Sequence, residues 1–301
     1  MTIPVIDLAS ATVADRIGEA CRTSGFFYVT GHGVPRDLQD RLETQSREFF
    51  ARDEASKLEI RMELAGAAWR GYFPVGGELT SGKPDRKEGL YFGVESEPGR
   101  PLHGQNLFPS AEFRETVLAY MAAMTSLGHR LMAAIALSLA LPEDYFAARY
   151  TTDPFTLFRI FNYPPGDGSS WGVGEHTDYG LLTILKQDAS GGLQVKSQDH
   201  WMDAVPIPDT FVCNIGDMLD RLTGGRYRST PHRVVGTRAA DRLSWPFFFD
   251  PNFDADIRAI GARELADDRD TRWDGESVHE FQGTYGEYLV AKVRKVFPHL
   301  G

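Results

Sequence analysis

Residues 174–180 combine an imidazole with a carboxylate at a spacing that could hold a metal ion. One residue separates His176 from Asp178, and on an extended backbone both side chains leave the same face. Together they offer two of the three ligands of a facial 2-His-1-carboxylate iron site. Short motifs also match by chance. A turn at a strand end, with a solvated Asp178 and a hydrogen-bonded His176, is therefore equally compatible with the pair.

A third ligand must come from elsewhere in the chain. The remaining histidines are His32, His103, His129, His200, His232, His279 and His299. Most of them fall in predicted helices, turns or the terminal tail. His232 differs because it opens a β-run at 231–235 after a basic loop, and is the histidine best placed to project from a later strand into a barrel mouth.

A guanidinium and a hydroxyl follow on the next β-run. Arg242 and Ser244 share one strand face and lead into an aromatic segment at 245–249. A buried guanidinium requires an anionic partner, because an unpaired buried charge is costly. That partner is either an internal Asp or Glu, or a ligand carboxylate held by Arg242 and Ser244.

Composition excludes several classes of function. The 301 residues are 42% hydrophobic and 25% charged, which is enough for one large β domain with added helices or for two domains. The formal net charge of −10, with a sequence pI near 5.3, argues against binding to nucleic acid or to an anionic membrane.

The cysteines and the first residues indicate the compartment. Cys21 and Cys213 are isolated from each other in sequence, which excludes a disulfide framework and a cysteine-based zinc site. The N-terminal residues lack the features of a secretory signal, and no apolar segment approaches about 18 residues without charge. We expect a soluble, reduced, cytoplasmic protein.

Apolar periodicity predicts a helix-rich first half, a β core and a closing helix. Helices are predicted at 13–22, 35–50, 111–141 and 278–296. Strands are predicted at 3–8, 25–29, 155–163, 181–187, 192–196, 201–205, 210–215, 232–236 and 243–249. Short strands separated by turn residues are typical of a sandwich or barrel. Residues 66–110 have weak periodicity, with ordered-looking pieces at 71–74 and 87–93, and are either a mobile linker or a functional lid.

The combination of these motifs resembles the iron(II)/2-oxoglutarate-dependent oxygenases, in the subgroup named for isopenicillin N synthase. The motifs are H-x-D (His176 and Asp178), a distal His (His232) and R-x-S (Arg242 and Ser244). Supporting segments lie at 3–7, 25–33, 162–165, 191–195 and 214–217. The resemblance runs nearly end to end, with the motifs in the family's order.

The resemblance implies a mainly β fold, a double-stranded β-helix (jelly roll) core with flanking helices. Residues 1–110 would form an N-terminal α/β segment with a lid-like region. Residues 111–301 would form a helix, the catalytic core and a C-terminal helix, all in one compact unit. The family's metal roles fall on His176, Asp178 and His232. Its 2-oxoglutarate roles fall on Arg242 and Ser244, for the distal carboxylate, and on Tyr163.

The implied reaction uses iron(II), 2-oxoglutarate and O2. Three protein ligands leave three positions on the metal, two for 2-oxoglutarate and one for O2. The expected outcome is oxidation, most readily hydroxylation, of a C–H bond of a small molecule, with release of succinate and CO2. Three alternatives stay open: an oxidative cyclase of the isopenicillin N synthase type that needs no 2-oxoglutarate, ethylene formation from 2-oxoglutarate, and a non-catalytic jelly-roll binding protein.

Three residues are candidates for substrate contact. Arg159 shares a strand face with Tyr163, Tyr179 follows Asp178, and Phe248 shares a face with Ser244. The sequence around 174–180 and 192–197 is similar to the thymine-hydroxylase branch, whose matching positions clamp a planar substrate. Ordinary core packing or an Arg–carboxylate pair explains the three residues equally well. As a substrate site they would suit a small molecule bearing a carbonyl or carboxylate; the oligomeric state stays open.

Overall fold

The short β-runs of the second half form two main sheets, and strands from the first 93 residues join the larger one. The computed structural model describes residues 2–80, 82–166, 171–197, 200–236, 240–261, 268–269, 272 and 275–297. The core is mainly β with flanking helices, as the sequence predicts, and is a jelly roll. No helix of the described ranges is long and apolar enough to cross a membrane.

The larger sheet has eight strands and runs through both halves of the chain. In spatial order its strands are β1 (Val5–Asp7), β2 (Phe26–Thr30), β12 (Phe211–Ile215), β9 (Leu182–Gln187), β14 (Arg242–Phe249), β7 (Thr156–Tyr163), β6 (Glu88–Gly93) and β3 (Gly71–Phe73). β1 and β2 are parallel and every other neighbouring pair is antiparallel. Strands β9, β14 and β7 therefore sit at its centre.

The smaller sheet has four antiparallel strands. In order they are β11 (His200–Asp203), β10 (Leu193–Ser197), β13 (His232–Val235) and β8 (Trp171–His176). A separate hairpin consists of β4 (Leu79–Thr80) and β5 (Lys83–Pro84). Strand β8 is absent from the sequence prediction because its residues Trp171, Gly172, Val173 and Gly174 show little apolar alternation.

Helices pack against the larger sheet, including its central strands. They are α1 (Val13–Thr23), α2 (Arg36–Phe50), α3 (Glu54–Leu58), α4 (Ala111–Ser138), α5 (Tyr145–Arg149), α6 (Asp217–Leu222) and α7 (Tyr285–Val296), with a 3-10 helix at Met62–Ala68. The long helix α4 contacts α1, α2, β9 and β14. A Cβ atom at Gly128 would lie 2.4 Å from the Phe249 ring, so this glycine permits the helix to approach the central strand closely.

Two sequence predictions differ from the structure. The closing helix begins at Tyr285 and not at 278, because Thr284 and Glu287 form a capping box there and Gly283 has a φ of 137°. Within residues 66–110, the pieces predicted to be ordered at 71–74 and 87–93 contain strands β3 and β6. Strand β6 is buried along its whole length and pairs with β7, so this part is neither a mobile linker nor a lid. A division of the chain near residue 110 stays a prediction.

Candidate metal and ligand site

The register of the smaller sheet brings two histidines together. His176, at the end of β8, pairs directly with His232, at the start of β13, and their ring centroids are 4.3 Å apart. Both belong to a cavity lined by side chains of the two main sheets, with a volume of about 1130 Å³ including the space at its open mouth. The sheet pairing thus creates the two-imidazole part of the predicted triad.

Asp178 joins the histidines from the segment that follows β8. Strand β8 ends at His176, and Asp178 lies two residues beyond that end. The amide of Asp217 donates to the Asp178 carbonyl at 2.8 Å and holds this segment. The Asp178 Oδ1 atom lies 3.7 Å from His232 Nε2 and 4.0 Å from His176 Nε2. Among the described residues this is the one cluster of three potential metal ligands, with ligand atoms within 4.8 Å of one another.

Backbone carbonyls orient both imidazoles. His176 Nδ1 lies 2.8 Å from the Gly174 carbonyl, and His232 Nδ1 lies 3.2 Å from the Thr230 carbonyl. Because a carbonyl only accepts, each Nδ1 is assigned the proton and each Nε2 keeps its lone pair for a metal. Burial, with His232 beside it, lowers the pKa of His176 to about 3. The ring is therefore neutral near pH 7 and need not lose a proton to bind a metal.

Two hydrogen bonds leave Asp178 with one free oxygen. Its Oδ2 accepts from Thr183 Oγ1 at 2.5 Å and from Asn214 Nδ2 at 2.7 Å. Burial alone would raise the pKa of Asp178, but the two histidines and these hydrogen bonds hold it below its usual value. Two neutral imidazoles and one carboxylate oxygen are the donor set that iron(II) takes in a facial triad, so the residues fit that metal.

Thr183 would influence a bound metal through its hydrogen bond to Asp178. We expect Thr183→Val, which removes one bond that orients the carboxylate, to weaken iron(II) binding about tenfold. Anaerobic equilibrium titration with iron(II) measures this effect. Thr116→Val is the matched control, because the buried Thr116 hydroxyl bonds only the Glu112 carbonyl within α4. Equal iron affinities in wild type and Thr183→Val would contradict a role in orienting Asp178.

A buried arginine lies on the opposite wall of the cavity. Arg242 on β14 pairs with Tyr163 on β7, and its guanidinium carbon is 4.6 Å from the Tyr163 ring centroid. Arg242 is 1% exposed; its Nε donates to the Gly191 carbonyl, and its Nη1 has no hydrogen-bond partner among the described residues. The Ser244 Oγ atom lies 3.5 Å from the Tyr163 hydroxyl.

No carboxylate of the described part of the chain forms an ion pair with Arg242. The internal salt bridge that the sequence left open is therefore not observed there. A buried guanidinium with a free donor beside two hydroxyls fits a ligand carboxylate, and the terminal carboxylate of 2-oxoglutarate has this chemistry. Arg242, Ser244 and Tyr163 thus come together as predicted.

The three candidate substrate residues line the same cavity. Arg159 lies between two aromatic rings, with its guanidinium carbon 4.1 Å from the Tyr91 centroid and 4.8 Å from the Phe248 centroid. It makes no hydrogen bond within the described residues, and its Nε is buried without a partner. Tyr179 is also in the cavity wall. The Arg159 Nη1 atom lies 3.7 Å from Glu78 Oε1, so the Arg–carboxylate pair that the sequence left open is present at ion-pair distance.

Several cavity residues were not assigned a role from the sequence. They are Glu78, Lys87, Asp250, Thr183 and Asn214, together with Leu289, Lys295 and Val296 on α7. Asn214 stood in a segment that matched the family, but a motif does not identify the carboxylate that its amide contacts. The others depend on contacts between distant segments, for which the sequence carries no spacing signal.

Asp250 is a buried carboxyl group that makes the stability of the metal-free protein depend on pH. Burial is the main cause that raises its pKa to about 7, although the Tyr285 hydroxyl donates to it. Between about pH 4 and pH 7 the folded chain keeps this proton and the unfolded chain loses it, so the free energy of unfolding falls as pH rises.

We expect Asp250→Asn to remove this contribution, because the amide does not titrate. As pH rises from about 4 to 7, the free energy of unfolding of the variant should increase relative to that of the wild type. The difference should reach about 4 kcal/mol above pH 7. Denaturant unfolding of the metal-free chains from pH 4 to 8 measures the difference. Asp209→Asn, at an exposed position paired with Arg36, is the control. Parallel pH curves for wild type and Asp250→Asn would contradict the assignment.

Comparisons with known proteins agree with this geometry. Residues 3–111 match the family model described as non-haem dioxygenase in morphine synthesis N-terminal, and residues 142–251 match that of the 2OG-Fe(II) oxygenase superfamily. A probable iron/ascorbate oxidoreductase of Dictyostelium discoideum is 50% identical, over 99% of this chain and 95% of that protein.

Two further relatives and one solved structure extend the comparison. A 1-aminocyclopropane-1-carboxylate oxidase of Dictyostelium mucoroides is 38% identical, over 98% of this chain and 95% of its own length. A homoarginine-6-hydroxylase of Arabidopsis thaliana is 36% identical, over 97% of this chain and 91% of its own length. The crystal structure of the Neurospora crassa thymine-7-hydroxylase with alpha-KG (2-oxoglutarate) and thymine has 30% identity and a TM-score of 0.80, over 97% of this chain and 96% of that one.

Proposed function

Because the chain belongs to the 2OG-Fe(II) oxygenase superfamily and is an iron(II)- and 2-oxoglutarate-dependent dioxygenase, we propose residue roles for its reaction. His176, Asp178 and His232 hold the iron. Arg242, Ser244 and Tyr163 hold the distal carboxylate of 2-oxoglutarate. One observation carries the proposal: the three ligand atoms and the unpaired donor of Arg242 open into the same cavity.

The protein residues bind, orient and exclude water. Thr183 and Asn214 hold one oxygen of Asp178, so the other faces the two Nε2 atoms. Arg242 and Ser244 fix the far end of 2-oxoglutarate from the opposite wall, and the buried aromatic lining keeps water from the reacting atoms. Iron(II) with 2-oxoglutarate supplies the oxidation of a C–H bond by O2, with succinate and CO2 as the other products.

The substrate is a small molecule that carries a carbonyl or carboxylate oxygen. Arg159 supports this proposal, because its donors face the cavity and have no hydrogen-bond partner in the described chain. Phe248 and Tyr91 hold the guanidinium between their rings, and Tyr179 adds a further aromatic wall. An oxygen atom of the substrate would accept a hydrogen bond from the Arg159 guanidinium. A polar group in a largely apolar pocket commonly orients a ligand in this way.

The test is an anaerobic titration of the purified chain with iron(II), with and without 2-oxoglutarate, followed by addition of O2. Succinate and CO2 released in equal amounts, and stimulated by compounds of a metabolite panel, support the proposal. Failure to bind 2-oxoglutarate would remove the assigned role of Arg242. Ethylene is measured in the same samples, because ethylene without a substrate would indicate fragmentation of 2-oxoglutarate itself.

The likeness to 1-aminocyclopropane-1-carboxylate oxidases favours one second candidate. In that case Arg242 and Ser244 would hold a substrate carboxylate, and oxidation would proceed without 2-oxoglutarate. The stoichiometry separates the two, since only the first candidate releases one succinate for each substrate oxidised.

A further inference from the structure

We propose that Glu78 selects the substrate by accepting a hydrogen bond from an N–H group beside the oxygen that Arg159 binds. The substrate class is then a net-neutral small molecule in which an N–H donor adjoins a carbonyl or carboxylate oxygen. This inference deepens the proposed function and rests on it, because it concerns the same cavity.

Glu78 reaches the cavity from the segment just before the β4–β5 hairpin. It is 4% exposed and is a cavity-lining carboxylate outside the metal triad. Its Oε1 accepts from the Tyr91 hydroxyl at 2.6 Å, and its Oε2 lies 2.9 Å from Lys87 Nζ. Burial alone would raise the pKa of Glu78, but Lys87 and Arg159 hold it below its usual value. Glu78 is therefore an ionised acceptor at neutral pH.

Glu78 and Arg159 form an ion pair without a hydrogen bond between them. The Arg159 Nη1 atom lies 3.7 Å from Glu78 Oε1, which is too long for a hydrogen bond. A carboxylate has about four acceptor positions, so Oε1 retains capacity beside its bond from Tyr91. An acceptor and a donor of the protein thus stand side by side in the cavity wall. A ligand with adjacent N–H and oxygen atoms would complete both.

The local charges balance without a ligand. Lys87 also contacts Asp85, at 2.5 Å, so two cations, Lys87 and Arg159, oppose two carboxylates, Glu78 and Asp85. A ligand with net charge would leave this buried group unbalanced, which is costly in a site of low polarity. A neutral ligand with separate donor and acceptor avoids that cost. Two sources share this chemistry: the edge of a lactam or imide, and a zwitterionic amino acid.

The test measures equilibrium binding without turnover. The full chain is loaded anaerobically with iron(II) and 2-oxoglutarate, and affinities are measured by calorimetry for two matched pairs of six-membered rings. 2-Piperidone against cyclohexanone tests the lactam source, and pipecolate against cyclohexanecarboxylate tests the amino-acid source. We expect the nitrogen-bearing member of one pair to bind about 10- to 100-fold more tightly, and the pair that shows this preference identifies the source.

The variant Glu78→Gln tests the residue itself. Lys87 would hold the amide oxygen on its own side, so the amide NH2 would face Arg159 and replace the acceptor by a donor. We expect the preference for the nitrogen-bearing ring to fall below about twofold. The affinity of cyclohexanone should stay within about threefold, whereas cyclohexanecarboxylate, an anion, should bind more tightly once a buried negative charge is lost.

Glu88→Gln is the matched control. Glu88 is equally buried and accepts from Tyr72 and Lys57, but it does not line the cavity. This variant should keep the wild-type preference.

Three results would overturn the inference: no preference in wild type, a preference that survives Glu78→Gln, or binding of neither pair at millimolar concentration. Succinate release after O2 is added is scored separately. A Glu78-dependent preference without succinate release would contradict the proposed function but not the selection of the ligand by Glu78. Succinate release without a preference would contradict the selection by Glu78 but not the proposed function.

Discussion

We expect Asp178→Ala to lower iron-dependent turnover by at least about a thousandfold, because it removes one of three metal ligands. The loss should appear in equilibrium iron(II) binding as well as in succinate release. The Thr183 hydroxyl and the Asn214 amide would lose their shared acceptor, so the free energy of unfolding should also fall by about 1–3 kcal/mol.

Asp178→Asn separates the metal from the fold. Its amide oxygen can still accept from Thr183 and Asn214, which turns the NH2 group toward the two Nε2 atoms. We expect this variant to unfold close to the wild-type temperature and yet to lose iron binding. Full turnover in either variant would remove Asp178 from the site.

The second large effect is expected at Arg242. We expect Arg242→Ala to raise the apparent KM for 2-oxoglutarate about 10- to 100-fold, because a buried charge-assisted bond to the distal carboxylate is lost. The kcat at saturating 2-oxoglutarate should change much less, since Arg242 lies at the far end of that molecule. Initial rates of succinate formation over a range of 2-oxoglutarate concentrations measure both parameters.

Arg233→Ala is the matched control for the loss of an arginine. Arg233 stacks on Trp171 and Trp201, with its guanidinium carbon 4.2 Å and 3.8 Å from their ring centroids, and does not line the cavity. Its removal should leave the KM for 2-oxoglutarate unchanged. An unchanged KM in Arg242→Ala would contradict the assigned role.

The metal triad could be predicted because the residues themselves carry the signal. The motifs H-x-D, a distal histidine and R-x-S each limit the possible ligands through their side-chain types and spacing. Because they occur along the chain in the family's order, their combination is more specific than any one motif. The two-residue spacing pointed the His176 and Asp178 side chains the same way, and the Asp178 carboxylate does lie beside the His176 ring. The sequence carried no signal for the bond from the Asp217 amide to the Asp178 carbonyl that holds this segment.

Glu78 could not be identified in the same way. Its environment joins three segments that are far apart in sequence: the region before the hairpin, Lys87, and Arg159 on β7. The apolar periodicity that locates strands says nothing about such ion pairs. The start of α7 was misplaced for a different reason. Apolar residues before Thr284 continue the helical pattern, whereas the capping box of Thr284 and Glu287 begins the helix at Tyr285.

The division of the site between two sheets has a mechanical consequence. The histidines belong to neighbouring strands of the smaller sheet, whereas Arg242 belongs to the larger one. Bound metal would join β8 and β13 directly and would reach the larger sheet through Asp178, which Thr183 and Asn214 hold. Bound 2-oxoglutarate would add a direct link to β14 and β7. Addition of iron(II) should therefore slow amide hydrogen exchange first in β8 and β13. Subsequent addition of 2-oxoglutarate should then slow it in β14 and β7.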